Sequence, residues 1–326
     1  MKIGWIHVLK KVYGETVYGT MAQSILSKHY DLEIINAGLE PFKKYMYPKV
    51  LYQLSRATGE KEIWIRNFDA ILTMPYDHAK GKNIVFVHHI DHSFQPPYLK
   101  PSFLMLEKIF YHHLKKVDAI VTVSKYWQNH FLEKGFSNVH LIYNSFDVDQ
   151  FQFEEEEIFQ FKKKLRLEGK PVVYLGNCKA IKGVVDAYDR LKDLTVHLVT
   201  SGQQEVKLPA INLNLNYREY LLLLKSSSAV ITMSKFKEGW NRTAHEAMLC
   251  KTPVIGSGLG GMTELLEGGG QILCKDFREL KDRTIYAIEH PELGEMGYEF
   301  AKQFTTERFN EAWLNLIKNH LDRKLI

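Results

Sequence analysis

The chain has 326 residues, 45% of them hydrophobic and 25% charged, enough apolar surface to bury a large core and too little polarity for wholesale disorder. No apolar run reaches the roughly 18–20 residues of a membrane-spanning helix, and the opening MKIGWIHVLKK is not expected to act as a signal peptide, because its apolar stretch is short and no small-residue cleavage site follows. The net charge of +5 is uneven: residues 1–150 carry 18 Lys/Arg against 14 Asp/Glu, an excess that suits phosphate or an acidic membrane surface, while the lack of basic clusters interleaved with stacking aromatics excludes an evident nucleic-acid reader.

In chain order, short β-branched runs alternate with amphipathic stretches. Strands are expected at KIGWIHV (2–8), LEIINA (32–37), DAILTM (69–74), NIVFVHH (83–89), DAIVTVS (118–124) and VHLIYN (139–144), with helices near 15–29, 41–57, 102–116 and 125–134. The runs are continuously apolar, as strands covered on both faces should be, so a parallel, doubly wound sheet is expected. The charged stretch EEEEIFQFKKKLRLEGK (154–170) interrupts the pattern as a solvated helix or linker. The alternation then restarts at PVVYLG (171–176), TVHLVT (195–200), INLNLN (211–216), AVITMS (229–234), PVIGSG (253–258) and QILC (271–274), and only helical stretches follow Asp276. This divides the chain into two Rossmann-like α/β domains, 1–152 and 153–305, with a helical tail at 306–326. Ligands of such sheets lie beyond the carboxyl ends of the strands. The three cysteines, Cys178, Cys250 and Cys274, are odd in number and widely spaced in apolar runs, which reads as buried reduced thiols of a cytoplasmic protein and not as a disulfide framework or zinc site.

The most informative segment is KEGWNRTAHEAMLCKTPVIGSGLGGMTELLEGG (237–269). Glu238 and Glu246 flank seven residues, and Asn241 or Thr243 is placed to cap the helix that carries Glu246; two carboxylates at one strand-end crevice are acceptors for sugar or ribose hydroxyls. The turn Gly256-Ser-Gly258-Leu-Gly260-Gly261 lets backbone N–H groups approach an anion at a helix start. It also matches G-x-G-x-x-G, with Asp276 some twenty residues on, though at the fifth strand of its domain and not the first. In Gly176-Asn-Cys-Lys179-Ala-Ile-Lys182-Gly183 a loop lysine precedes a helix and can neutralise a diphosphate. In His88-His89-Ile-Asp91-His92, neighbouring strand residues face opposite ways, so a substrate-binding histidine is the better reading than a metal site; no metal is assigned.

Taken in order, these segments resemble the retaining nucleotide-sugar glycosyltransferases of family four, which have the GT-B fold. The family's glutamate, seven residues, glutamate pattern and following G-G turn appear as EGWNRTAHEAMLCKTPVIGSGLGGMTELL, its G-R-L-x-x-x-K-G loop as GNCKAIKG, its histidine-ended strand as VFVHHID, its V-S strand end as TVSKYW and its N-G-x-D-x-x-x-F segment as NSFDVDQF (144–151). The resemblance implies roles. Glu238 would bind donor-sugar hydroxyls and Glu246 the ribose; the amides of Arg242 and Thr243 would meet the distal phosphate, and Lys182 and Gly14 the diphosphate. His88 would sit near the transferred sugar, Asn177 beside the diphosphate, and Gly260 and Gly261 in the phosphate-side turn. His88, Lys182 and Glu238 are the implied catalytic set. Asn177 stands where the family often has arginine, Ser145 and Asn241 replace family glycines, and the paired glycines after the first strand reduce to Gly14.

The resemblance further implies metal-independent transfer of a hexose from a UDP- or GDP-linked donor to a saccharide, lipid-linked or small-molecule acceptor, with no cofactor beyond that co-substrate. Residues 1–152 would be the acceptor domain and 153–305 the donor domain, and the last helix would cross back to the first. Alternatives are a nucleotide-sugar epimerase of the same fold, a nicotinamide oxidoreductase and a non-catalytic scaffold. Cations and aromatics mix in PFKKYMYPKVLYQLSR (41–56) and YLKPSFLMLEKIFYHHLKK (98–116), a mixture that suits docking at the inner face of an anionic membrane.

Overall fold

A computed structural model of the chain describes residues 1–7, 14–36, 47–91, 93 and 97–322. It forms two compact units, Met1–Ser145 together with Thr306–Ile326, and Phe146–Thr305. The chain passes from one to the other between Ser145 and Phe146, a few residues ahead of the break expected at 152, and the last helix folds with the first unit. No described helix is long and apolar enough to cross a membrane.

The first unit is a six-stranded parallel sheet in the order β2-β1-β3-β4-β5-β6: β1 (Lys2–His7), β2 (Asp31–Asn36), β3 (Thr58–Arg66), β4 (His78–Val87), β5 (Ala119–Thr122) and β6 (Val139–Leu141). Its helices are α1 (Gly14–His29), α2 (Tyr47–Leu54), α3 (Phe68–Thr73), α4 (Lys100–Leu114) and α5 (Lys125–Glu133). One core joins Ile6, Val50, Leu54, Trp64 and Ala70, another Val85, Val87, Phe110, Trp127 and Phe131. Residues 41–46 of the first expected cation-aromatic stretch lie outside the described residues.

One expected strand is a helix. DAILTM falls in α3, which Asn67 caps by accepting the Ala70 N–H at 3.1 Å. A six-residue apolar run is too short for periodicity to separate strand from helix. The sheet position belongs to β3, which pairs in parallel with β1 and β4. Its first half is charged and mostly exposed, and only Ile63–Arg66 is buried.

The second unit repeats the plan, again with six parallel strands, in the order β12-β11-β10-β7-β8-β9: β7 (Val172–Asn177), β8 (His197–Ser201), β9 (Ile211–Leu213), β10 (Ala229–Thr232), β11 (Val254–Gly256) and β12 (Ile272–Leu273). Before, between and after these lie α6 (Glu155–Lys164), α7 (Val184–Leu191), α8 (Tyr217–Ser226), α9 (Arg242–Leu249), α10 (Met262–Gly268), α11 (Leu280–Glu289) and α12 (Glu292–Ala301). Within the stretch at 154–170, Glu155–Lys164 is thus a helix, acidic in its first turn and basic in its last, the order that the helix dipole favours. All three cysteines are buried and free.

The closing helix α13 (Thr306–Asp322) completes the first unit's core. Trp313 is fully buried, 5.8 Å from the Trp5 ring, and Phe309 meets Tyr18 edge-on at 5.1 Å. Removing a buried aromatic leaves a cavity and costs about 3–5 kcal/mol. Trp313→Ala should therefore lower the unfolding free energy of the first unit by that amount and its denaturant midpoint in proportion, seen as an early transition in the fluorescence of the remaining tryptophans; an unchanged unfolding curve would show that α13 is not a core element.

Candidate active site at the switch point of the second sheet

β10 lies between β7 and β11, and β7 continues to β8, so the chain reverses direction across the sheet between β7 and β10. Loops leaving the carboxyl ends of two such strands flank one crevice. The loop after β7 runs through a 3₁₀ turn (Ala180–Lys182) closed by Gly183 at φ 74°; a Cβ there would press on the Met233 carbonyl that follows β10, so only glycine fits. The loop after β10 carries Glu238. Lys182 Nζ meets Glu238 Oε1 at 2.6 Å, a bond that spans the switch point. Ser234 Oγ donates to the same oxygen at 2.5 Å and Asn241 Nδ2 lies 3.4 Å from it. Glu238 is buried, and a carboxylate so placed is tolerable only with charge and hydrogen bonds of this kind. The Lys182 ammonium also lies 4.8 Å from the Phe236 ring centroid.

The backbone of Glu238 is held as firmly. Its N–H donates to the Leu259 carbonyl at 3.1 Å and its carbonyl accepts from Gly261 N–H at 2.8 Å, a one-residue parallel bridge to Gly260. Gly260 has φ 71°, and an added Cβ would stand 2.8 Å from the Glu238 nitrogen. The glycine-rich turn thus serves to place Glu238, and the Gly261 N–H is committed to that task. Asp276, the acidic residue of the G-x-G-x-x-G reading, accepts from the backbone and side chain of Arg278 at 2.8 and 2.7 Å and caps a short turn.

Asn241, not Thr243, caps α9, accepting the Ala244 N–H at 2.9 Å. One turn on, Glu246 is buried. Its Oε1 lies 3.3 Å from both the Tyr217 hydroxyl and the Arg242 guanidinium, and its Oε2 accepts from Tyr220 at 3.1 Å. Burial pushes the Glu246 carboxyl above the usual range, and the Arg242 charge and the tyrosine hydroxyls pull it back. Burial, with the nearby Glu246 charge, raises both tyrosines, which stay protonated donors. The Tyr220 hydroxyl is also 3.3 Å from Thr243 Oγ1. At the end of β7, exposed Asn177 offers Oδ1 to Ser201 Oγ at 3.4 Å, and Ser201 in turn meets Tyr174 at 2.6 Å.

Behind this layer His245 is wholly buried. Trp240 Nε1 lies 3.0 Å from its Nδ1, and because an indole N–H only donates, Nε2 carries the ring proton and donates to the Ala301 carbonyl at 3.1 Å. The ring stacks on Phe146 at 4.0 Å and 20° and meets Phe304 edge-on at 5.1 Å. Phe146 and Thr305, the residues at either end of this unit, form a parallel bridge, with Phe146 N–H donating to Phe304 O at 3.0 Å.

The structure therefore gathers Lys182, Glu238, Arg242, Thr243, Glu246, Gly260 and Gly261 of the expected set. Tyr217, Tyr220, Ser234, Trp240 and His245 join them without having been expected. The two tyrosines are three apart at the start of α8, just after Asn216, which forms a capping box with Glu219; that N-x-x-E signal locates the helix start, from which the tyrosine pair follows. Gly14 and His88 belong to the first unit. Gly14 opens α1, and Tyr18, one turn later, meets the His88 ring edge-on at 4.8 Å. Among the described residues no group of three or more His, Cys, Asp or Glu is placed to hold a metal ion, and His92 lies outside them.

Two family models match the chain, Glycosyltransferase Family 4 over residues 33–150 and Glycosyl transferases group 1 over residues 169–290. An uncharacterised glycosyltransferase of Methanocaldococcus jannaschii is 26% identical over 211 residues, which are 59% of this chain and 56% of that protein, so the match spans little more than half of this relative's length. The N-acetyl-alpha-D-glucosaminyl L-malate synthase of Bacillus anthracis is 23% identical over 95% of this chain and 93% of its own. Among solved structures, HepE of Anabaena in complex with UDP-glucose superposes with a TM-score of 0.74 at 16% identity, covering 98% of this chain and 100% of that one. At that identity the likeness concerns the fold, the GT-B class with its two Rossmann-like domains.

Burial drives the pKa of His245 down to about 3, and Arg242 adds to the shift. Above pH 6.5 the ring is neutral folded or unfolded and no penalty arises. Below it the unfolded chain binds a proton that the folded chain refuses, so stability should fall by up to about 1.4 kcal/mol per pH unit down to the folded pKa. Urea unfolding of the wild type between pH 4 and 7.5 should show this slope against His245→Gln, a variant weaker at neutral pH but flatter in acid. Parallel pH curves would contradict the neutral, buried assignment.

Proposed function

Because the chain belongs to the GT-B glycosyltransferases of family four, we propose that it transfers a hexose from a nucleoside diphosphate donor to a hydroxyl of a saccharide, lipid-linked or small-molecule acceptor, with retention at the anomeric carbon and without a metal ion. The observation that carries this reading is the Lys182–Glu238 pair at the switch point, 2.6 Å apart, with buried Glu246 on the neighbouring helix. Glu246, oriented by Tyr217, Tyr220 and Arg242, accepts the ribose hydroxyls. Glu238, fixed by backbone and side chain, receives hydroxyls of the donor sugar. When the sugar–phosphate bond breaks, negative charge grows on the distal phosphate, and preorganised cations and dipoles stabilise it. Lys182 has three N–H donors, so it keeps Glu238 and adds a phosphate oxygen, while the amides of Arg242 and Thr243 open the helix toward the same group. The acceptor hydroxyl gives its proton to the departing phosphate. Asn177 completes the donor contacts in this reading. UDP is the first base to try, since HepE was solved with UDP-glucose, and GDP the second.

A thermal-shift panel of UDP- and GDP-sugars, followed by transfer and hydrolysis assays, tests the proposal. Lys182→Ala should fold and lose about 100–1000-fold in turnover. Glu246→Ala should weaken free nucleotide and nucleotide sugar alike, whereas Glu238→Ala should spare the free nucleotide. Near-normal turnover by folded Lys182→Ala, or equal losses in both glutamate variants with both ligands, would overturn these roles. Donor converted to another nucleotide sugar with no acceptor present would favour the epimerase.

The acceptor side we assign to a lipid surface through α4. In α4 and its flanks Tyr98, Leu104 and Met105 are exposed, as are Lys100, Lys108, Lys115 and Lys116. In α2, by contrast, Val50 and Leu54 are core residues and Tyr47 donates to Asp69 at 2.7 Å, which removes them from any surface role. Each lysine near an anionic bilayer contributes about 1 kcal/mol. Co-sedimentation with phosphatidylserine vesicles should rise with anionic lipid and fall with salt, and should be lost in Lys100→Glu/Lys108→Glu/Lys115→Glu. Indifference to such vesicles at low salt would leave a soluble acceptor.

A further inference from the structure

Arg242 is tied down on two sides and incomplete on a third. One guanidinium nitrogen lies 3.3 Å from Glu246 Oε1, and the group stacks 4.3 Å from the centroid of the Phe146 ring. The other terminal nitrogen, NH1, is buried and has no hydrogen-bond partner. A buried donor left unmade is costly, and a guanidinium offers five N–H groups in a fixed fork suited to phosphate. The same residue is the first of α9. Its own backbone N–H and that of Thr243 have no acceptor within the helix, since Asn241 takes up the Ala244 N–H through its side chain and the His245 N–H through its carbonyl. The other cations at the site are already engaged: Lys182 with Glu238 at 2.6 Å and Lys179 with Glu205 at 2.6 Å. Asn177, at the end of β7, brings no charge. An arriving diphosphate therefore meets cations that each hold a carboxylate, among them an oriented arginine whose NH1 has no partner.

We propose that the Arg242 side chain, and not only its backbone amide, binds the diphosphate of the donor, with Glu246 and Phe146 holding the guanidinium in place for it. This rests on the donor reading above. In this reading Glu246 does two things with one carboxylate: it receives the ribose and it orients the cation for the adjoining phosphates. The stacking on Phe146 fixes the plane of the fork without using an N–H, so a phosphate oxygen reaches NH1 without displacing Glu246.

The test is affinity as a function of phosphate number. Uridine, UMP and UDP, with guanosine, GMP and GDP in parallel, are titrated against wild type, Arg242→Gln and Arg242→Lys, by calorimetry for the nucleotides and saturation-transfer NMR for the nucleosides. Arg242→Gln is expected to weaken the diphosphate by roughly 10- to 100-fold, to weaken the monophosphate less and to leave the nucleoside unchanged. Arg242→Lys, which keeps the charge and loses the fork, should fall between, and it serves as the readout should Arg242→Gln fail to fold. If nucleoside and diphosphate weaken equally, Arg242 only positions Glu246 and the proposal is wrong; it is equally wrong if diphosphate affinity does not change. Wild-type protein that binds neither UDP nor GDP would overturn the donor reading itself, an outcome distinct from a selective result in the variants.

Discussion

The ion pair between Lys182 and Glu238 is the contact around which the second unit's functional face is arranged. It joins loops from two strands that are hydrogen-bonded neighbours in the sheet but more than fifty residues apart in the chain, and so converts the crevice between their ends into a fixed polar site. The demand it makes is high, because Glu238 has been taken out of water. Ser234, Asn241, the bridge to Gly260 and the glycine at 183 all exist in the geometry seen because a carboxylate buried without partners would not be stable there. Burial of this kind is weak evidence for stability and stronger evidence for a site whose geometry is set in advance of its ligand.

Glu246 solves the same problem differently. Lys182, Ser234 and Asn241 meet one oxygen of Glu238, whereas Glu246 has partners on both oxygens, two tyrosines from α8 and Arg242 from its own helix. Two phenols and a guanidinium surround the carboxylate, and His245 ties the Trp240 loop to the last turn of α12. The two carboxylates thus share a crevice with different electrostatic surroundings, which suits division between a ribose and a sugar.

Much of the second unit was legible in the sequence because its strands are short, apolar and covered on both sides, and because Glu238, Glu246 and Lys182 stand at spacings that the family resemblance makes specific. The failures have physical causes. DAILTM carries no period long enough to distinguish helix from strand, and β3 hid behind TGEKEI, whose polar residues lie on an uncovered stretch of a strand that is buried only at IWIR. Tyr217 and Tyr220 were legible as a pair at a capped helix start and not as site residues, because their contact with Glu246 depends on α8 packing beside α9, a tertiary fact. The glycine turn was legible as a place that requires glycine, while its purpose, seating the Glu238 backbone, depends on a partner some twenty residues upstream.

The placement of α13 has a consequence for synthesis. Trp5 and Tyr18 leave the ribosome before the second unit, yet the aromatic surface they pack against, Phe309 and Trp313, is made only after it. Domains ordinarily fold as units as they appear, N-terminal first. Here the N-terminal sheet must wait with part of its apolar face uncovered while the whole second unit, Phe146–Thr305, is translated and can fold ahead of it. The first sheet therefore gains the aromatic cover of Trp5 only after the second unit has been translated, and in that interval Trp5 lacks its partner surface.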